Sequence, residues 1–334
     1  MLGRTAHLSH PGRKRRHNED SYVHEPPLFA VADGMGGAKA GEIASGLAAD
    51  AIRGAGADGA DDEKRVVALI QEANRRVYER ATEDAAVSGM GTTMTAALVD
   101  AEHGRVTIGH VGDSRAYRIR DGKLEQLTQD HSLVAELMRS GKLTPEEAEV
   151  HPQRSVITRA LGTDPDVDVD TFAVDARPGD VFLLCSDGLT SMVSDDAILR
   201  VVRERRDNLD AAAKGLIAAA NRGGGDDNIT VVVFEIASDR EQQPTRPMPA
   251  IGPREDELPE SEDEDTLVGT EAPAPVGTMV VRVEDLEAQT ARAAEPEPEP
   301  ERKRGRRVLV LALLVAFLAT IVVVALLALD LGPL

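Results

Sequence analysis

Residues 92–126, TTMTAALVDAEHGRVTIGHVGDSRAYRIRDGKLEQ, decide how the chain is built. Three short runs, 92–99, 105–111 and 115–120, are rich in Val, Ile, Thr and Tyr, the residues that suit a pleated, half-buried surface. Asp121-Gly122 then separates RAYRIR from KLEQLT, the pair of residues that a two-residue hairpin turn favours. Working outward, 28–33 (LFAVAD), 181–185 (VFLLC) and 229–236 (ITVVVFEI) read as further strands. Strands this close in sequence tend to pair antiparallel with their neighbours. Residues 62–81 read as a helix with Val66, Ile70, Ala73 and Val77 on one face. Residues 41–53, 132–140, 195–205 and 209–221 read as further helices. Hairpins mixed with long helices predict an α+β fold in layers, with helices covering antiparallel sheets.

The chain has 334 residues, no Trp and only 2% aromatic residues, so its core must rest on Val, Leu, Ile and Ala. Its single cysteine, Cys185, lies inside the run VFLLC and reads as a small buried strand residue. No intrachain disulfide is possible, which fits a reducing compartment. The net charge is −20, unevenly spread: residues 1–238 carry 39 acids against 28 bases, and residues 239–301 carry 18 against 5. So acidic a chain repels nucleic acid, and nucleic-acid binding is not expected.

Composition divides the chain. Residues 1–238 read as folded. Residues 239–301 are acidic and rich in Pro and Glu, ending in EPEPEP, and cannot bury enough apolar surface to offset their ordering entropy; they are expected to be a disordered linker. Two apolar islands interrupt it, Thr266-Leu267-Val268 and Thr278-Met279-Val280-Val281. Chance clusters are the plainer reading of these, short binding or phosphorylation motifs the other. Residues 302–307 are basic, and 308–329 are 22 residues without a charge, roughly 33 Å as a helix and long enough for a bilayer core. The basic flank predicts a single-pass cell-membrane protein whose residues 1–301 are cytoplasmic, with 330–334 a short extracytoplasmic tail.

Acids stand at the ends of the apolar runs. Asp33 follows LFAVA, Asp187 follows VFLLCS, Asp226-Asp227-Asn228 precedes ITVVVFEI, and Asp20 precedes Tyr22-Val23. A single Asp-Gly is ordinarily a turn. Several carboxylates gathered at one sheet rim would repel unless a cation neutralised them, and hard oxygen ligands favour Mg²⁺ or Mn²⁺. Spacing alone leaves the turn reading and a two-metal hydrolase about equally open.

Eight strings in order go further: Arg15-Arg16-His17-Asn18-Glu19-Asp20, VADGMGG at 31–37, Gly91-Thr92-Thr93, GHVGDSRAY at 109–117, LTQDHS at 127–132, ITRALG at 157–162, LLCSDGL at 183–189 and DDNIT at 226–230. Residues 1–238 thereby resemble the metal-dependent protein phosphatases of the type 2C family, in their compact bacterial form. The resemblance implies a sandwich of two antiparallel sheets flanked by helices (α-β-β-α), with Mn²⁺ or Mg²⁺ at one end. It implies hydrolysis of phosphoserine and phosphothreonine in proteins by a water that two ions activate. Substrates would be membrane serine/threonine kinases and their targets. Asp33 and Asp20 resemble the bridging and supporting carboxylates, the carbonyl of Gly34 the backbone ligand, and Asp187 and Asp227 the remaining ligands. Asp130, with Asp187, resembles the holder of a third, weaker ion, and Glu19 acts through water. Arg15 matches the arginine that grips the substrate phosphate. Asp113 and Ser114 read as a structural turn, and 133–156 as a flap beside the site. Many members carry a histidine directly after DGMGG; here that position is Ala38, followed by Lys39, so the acid that protonates the leaving group is in doubt. A catalytically silent phosphoprotein-binding scaffold is the contrary reading, against which all the metal carboxylates are present.

Overall fold

The runs 105–111 and 115–120 form strands as expected, while 92–99 breaks at Thr93 into two; the turn between Arg120 and Lys123 has both central residues in the left-handed region, Asp121 at φ 50° and Gly122 at φ 73°. The computed structural model describes residues 2–36, 40–54 and 61–237, with the backbone of Met279–Val280. In chain order the elements are β1 (Leu2–His10), β2 (Asp20–Glu25), β3 (Leu28–Met35), α1 (Ala40–Ile52), α2 (Asp62–Glu83), β4 (Gly91–Thr92), β5 (Met94–Asp100), β6 (Arg105–Val111) and β7 (Arg115–Arg120). Then come β8 (Lys123–Gln126), α3 (Leu133–Arg139), α4 (Pro145–Glu149), β9 (Val156–Ile157), β10 (Asp170–Asp175) and β11 (Val181–Cys185). The last are α5 (Asp187–Thr190), α6 (Asp195–Glu204), α7 (Leu209–Gly223), β12 (Ile229–Ile236) and β13 (Met279–Val280).

Two antiparallel sheets result, ordered β1-β12-β11-β7-β8 and β10-β6-β5-β3-β2, with β4 added beside β3. Each strand of the inner pairs has two apolar faces, because it is covered on both sides. Between the sheets lie Phe29, Phe182 and Phe234, all fully buried, with ring centroids 4.5 and 5.1 Å apart and nearly parallel planes. Burying each such ring is worth about 1.5–3 kcal/mol. Three of the chain's few aromatic residues thus stack at the inter-sheet layer, while Tyr117 is buried in the otherwise largely aliphatic core under α6 and α7. On one outer face α1 and α2 bury Ala44, Ala48, Ile52, Val66, Ile70, Ala73 and Val77. On the other, α6 and α7 bury Ile198, Val202, Leu209, Leu216 and Ala220. The layers are therefore helix, sheet, sheet, helix, as the resemblance implied. Cys185 is fully buried in β11, as read.

Helix ends follow local chemistry. Asp61 caps α2 by accepting from the Lys64 N–H at 3.2 Å, and Asn208 caps α7 by accepting from the Ala211 N–H at 3.0 Å. Residues 133–156 do form a helix–loop–helix flap. Gly141 turns it at φ 69°, and Thr144 and Glu147 close a reciprocal capping box on α4.

Two expectations need correction. Pairing between sequence neighbours holds for β2–β3, β5–β6 and β7–β8, but the sandwich is closed by β1 on β12, Leu2 opposite Ile236. Of the two apolar islands in the linker 239–301, for which chance clustering was the plainer expectation, one contains Met279–Val280, which pairs with β9. The remainder of 238–334, including 302–307, 308–329 and 330–334, lies outside the described residues, as do Ala38 and Lys39. No helix among the described residues is long and apolar enough to cross a membrane.

Candidate active site

The topology carries four of the singled-out acids to one end of the sandwich. Asp20 opens β2 and faces Asp33 across the β2–β3 ladder. Asp187 starts α5 just after β11, and Asp227 lies two residues before β12, the neighbour of β11. Hydroxyls stitch the two sheets together at this rim. Ser186 Oγ and Thr230 Oγ1 both donate to Asp20 Oδ2, at 2.8 and 2.6 Å. Asp33 N–H donates to Thr93 Oγ1 at 3.0 Å, and Thr93 Oγ1 lies 2.8 Å from Ser114 Oγ.

Asn228 ties the loops that carry the other residues. Its side-chain oxygen accepts from the Glu19 N–H at 2.7 Å, and its amide donates to the carbonyls of Pro11 and His17 at 3.0 and 2.9 Å. Glu19 is thereby held over the rim, its carboxyl pushed up by burial and pulled back by Arg15. Gly34 is wedged between chains. A Cβ there would lie 2.1 Å from the Gly41 carbonyl oxygen and 2.6 Å from that of Glu19. Arg15 Nη2 donates to Asp227 Oδ2 at 2.7 Å, while its Nε is buried without a hydrogen-bond partner.

The electrostatics of this rim are those of crowded like charges. Burial, then repulsion from Asp187 and Asp227, pushes Asp20 up to about 7 against the pull of its two hydroxyl donors. Burial and then Asp227 push Asp187 up to about 6. Asp33 lies well above the usual carboxylate range through burial, then Asp20, Asp187 and Asp227. Two buried oxygens, Asp20 Oδ1 and Asp187 Oδ1, have no hydrogen-bond partner. As the side chains stand, no three or more Asp, Glu, His or Cys among the described residues form a group able to hold an ion. The donor set still fits one. It is all oxygen, it is anionic beyond what its hydrogen bonds satisfy, and a divalent cation of the Mg²⁺ or Mn²⁺ type offsets the repulsion.

Asp130 and Asp113 divide differently from the expectation. Both face, with Asp187, a cavity of about 680 Å³ bounded by the flap and residues 190–194. Asp130, expected to hold a third ion, has both oxygens engaged by Arg115, at 2.9 and 3.1 Å from Nε and 2.7 Å from Nη2. Asp113, read as a turn residue only, is buried, and burial followed by Asp187 and Asp130 pushes it well above its usual range. The turn reading fits Ser114, whose hydroxyl supports Thr93. For Asp113 it is incomplete, and the missed signal was in the string itself. Asp113 stands one residue beyond the run RVTIGHV, as Asp187 stands one residue beyond VFLLC. Ser186, Thr230 and Asn228 were also passed over, because hydroxyls and amides beside an acid look like ordinary turn chemistry until the fold brings them onto Asp20 and Glu19.

Comparison with known proteins agrees with this geometry. The model of the family described as Protein phosphatase 2C matches residues 13–220. The serine/threonine phosphatase stp of Listeria monocytogenes is 40% identical over 235 residues, covering 67% of this chain and 92% of that protein. The serine/threonine protein phosphatase PstP of Mycobacterium tuberculosis is 42% identical over 238 residues, which are 71% of this chain and 45% of PstP. The crystal structure of the M. tuberculosis phosphatase PstP superposes with a TM-score of 0.68 at 41% identity, covering 71% of this chain and 100% of that one. The PstP catalytic domain in complex with two manganese ions superposes at 0.65 and 39% identity, over 71% of this chain and 99% of that one. With the carboxylate rim, the sandwich and these relatives in agreement, the chain belongs to the protein phosphatase 2C family of serine/threonine phosphatases.

Proposed function

We propose that the rim hydrolyses phosphoserine and phosphothreonine in proteins, with Asp20, Asp33, Gly34, Asp187 and Asp227 as the residues that hold two divalent ions. The observation that carries this is the meeting of three crowded, buried carboxylates, Asp20, Asp33 and Asp187, with the Arg15–Asp227 pair at one open end of the sandwich. The manganese pair in the related PstP domain supports two ions of this kind. When bound, such ions neutralise phosphoryl charge and lower the pKa of water. The chain's own residues do the rest. Arg15 sits half-buried with an unpartnered Nε, a ready donor for a phosphoryl oxygen, and a planar guanidinium grips such oxygens in pairs. Asp227 holds it in place until substrate arrives. Ser186 and Thr230 fix Asp20, and Asn228 fixes the Glu19 backbone. For a third, weaker ion, Asp113 beside Asp187 is better placed than Asp130, whose charge Arg115 already meets.

The test is phosphate release from a phosphothreonine peptide by the full chain in detergent. Activity is expected only with Mn²⁺ or Mg²⁺ and is lost in chelator. Arg15→Lys should lower kcat/KM by about 10²-fold, the scale of a lost bidentate charge-assisted pair, with less effect on the Mn²⁺ concentration needed. In the same Mn²⁺ titration, Asp113→Asn should weaken the response at high ion concentration and Asp130→Asn should not. Full turnover in chelator would overturn the assignment.

The cellular setting follows from composition. The uncharged run 308–329 after the basic residues 302–307 supports a single-pass anchor with the catalytic domain cytoplasmic. Tethering would raise the domain's effective concentration toward membrane serine/threonine kinases and their targets. Full-length chain is therefore expected in the membrane fraction and chain lacking 302–334 in the soluble fraction; a soluble full-length chain would sink this reading.

A further inference from the structure

The tail returns to the catalytic domain at one defined place. Met279–Val280 lies parallel to Val156–Ile157, Met279 opposite Val156 and Val280 opposite Ile157, and falls in the same compact unit as the catalytic domain. β9 is where the flap rejoins the site. Ile157 bridges Ser132, the cap of α3, and the Thr158 N–H donates to the His131 carbonyl at 2.9 Å. Ile157 also packs with Met35, the residue after Gly34. The two residues just before β9, Arg154 and Ser155, line the cavity that opens onto Asp113 and Asp187. A segment docked on β9 therefore grips the hinge between the flap and the metal-site loops.

We propose that the strand Met279–Val280 is an intrachain ligand of this hinge, and that by restraining the flap it limits the entry of phosphoproteins. Only two large apolar side chains among the described residues are exposed, Met138 and Val150, and both line the flap side of the cavity. They are suited to the chain flanking a phosphoresidue, which is too large to enter without the flap giving way. An aryl phosphate needs only the rim. The contact is by nature reversible. A two-residue ladder is weak alone, but a strand carried on the same chain meets β9 at an effective concentration on the order of millimolar. Docked and free forms are then comparable in population, so releasing the tail changes rates by a small factor.

The gating half of this proposal rests on the phosphatase reading; the docking half does not. The experiment compares full-length chain in detergent with the double variant Met279→Pro, Val280→Pro, since proline cannot donate to the ladder. Hydrogen exchange is followed in peptides spanning 154–158, and kcat/KM is measured with Mn²⁺ on a phosphothreonine protein and on an aryl phosphate. The variant is expected to exchange up to about twofold faster at 154–158. It should be up to about twofold faster on the phosphoprotein and equal to the parent on the aryl phosphate, the ceiling that roughly half occupancy of the dock sets. Unchanged exchange, or faster exchange with unchanged phosphoprotein turnover, would overturn the proposal. Absence of aryl phosphate turnover in both proteins would instead count against the phosphatase reading.

Discussion

Asp33→Asn should abolish turnover and, in the presence of chelator, make the protein more stable. Asp33 faces Asp20 across the ladder and lies in the repulsive field of Asp187 and Asp227 as well. Replacing it with a neutral side chain of the same shape removes that repulsion and keeps the contact to the Thr93 hydroxyl, which is made by the backbone N–H. A rise in Tm of roughly 2–4 °C is expected in chelator, the shift that about 1 kcal/mol makes in a domain of this size. Mn²⁺ should then stabilise the parent strongly and the variant little, because a ligand stabilises only the form that binds it. Turnover should fall on the order of 10³-fold, the scale of a missing electrostatic element in a preorganised site. A structural carboxylate would behave in the opposite way, its loss lowering Tm with or without the ion. Calorimetry in chelator and in Mn²⁺, run beside the rate assay, separates the two; a lower Tm in chelator with retained turnover would remove Asp33 from the centre.

Much of this was legible because the chain is locally consistent. β6, β7, β11 and β12 occupy the very spans in which Val, Ile and Tyr cluster, and α2 buries Val66, Ile70, Ala73 and Val77 as its period requires. What escaped was non-local or marginal. β1 has the sequence LGRTAHLSH, buries only Ala6 well, and finds its partner more than two hundred residues away in β12. β10, DTFAVD, lies at a sheet edge with no fully buried position. Neither has the continuous apolar run that marks a strand covered on both faces.

The site divides along a similar line. Asp20, Asp33, Asp187 and Asp227 could be found because each ends or begins an apolar run, and a strand end is where a sandwich presents side chains to one rim. How Asp113 and Asp130 differ in their surroundings could not. Both sit in strings that match the family, and only the fold shows Arg115 closing on Asp130 and leaving Asp113 beside Asp187. Asn228 is of the same kind. In DDNIT it reads as a residue before a strand, and its work as a clamp on Pro11, His17 and Glu19 exists only once the first and last strands are paired.

Gly34→Ala tests whether the backbone of the rim matters as much as its carboxylates. Gly34 needs no unusual φ, so its requirement is space alone. An added Cβ would stand 2.1 Å from the Gly41 carbonyl oxygen, 2.5 Å from its carbon and 2.6 Å from the Glu19 carbonyl oxygen. All three are main-chain atoms, so no side chain can rotate away; β3 must separate from α1, or Glu19 must move off the rim. Either movement displaces Asp33 and Glu19 together. Overpacking of this sort costs about 1–3 kcal/mol, and Tm should fall by several degrees. Turnover should fall by about 10²-fold, the penalty for roughly 1 Å of misplacement among catalytic groups. Gly46 supplies the control. It lies in α1, and a Cβ there meets nothing within 4 Å. Gly46→Ala should raise stability by about 0.5–1 kcal/mol through helix propensity and leave turnover alone. If Gly34→Ala matched Gly46→Ala in both Tm and rate, close approach of α1 to β3 would not be what holds Asp33 and Glu19 at the rim.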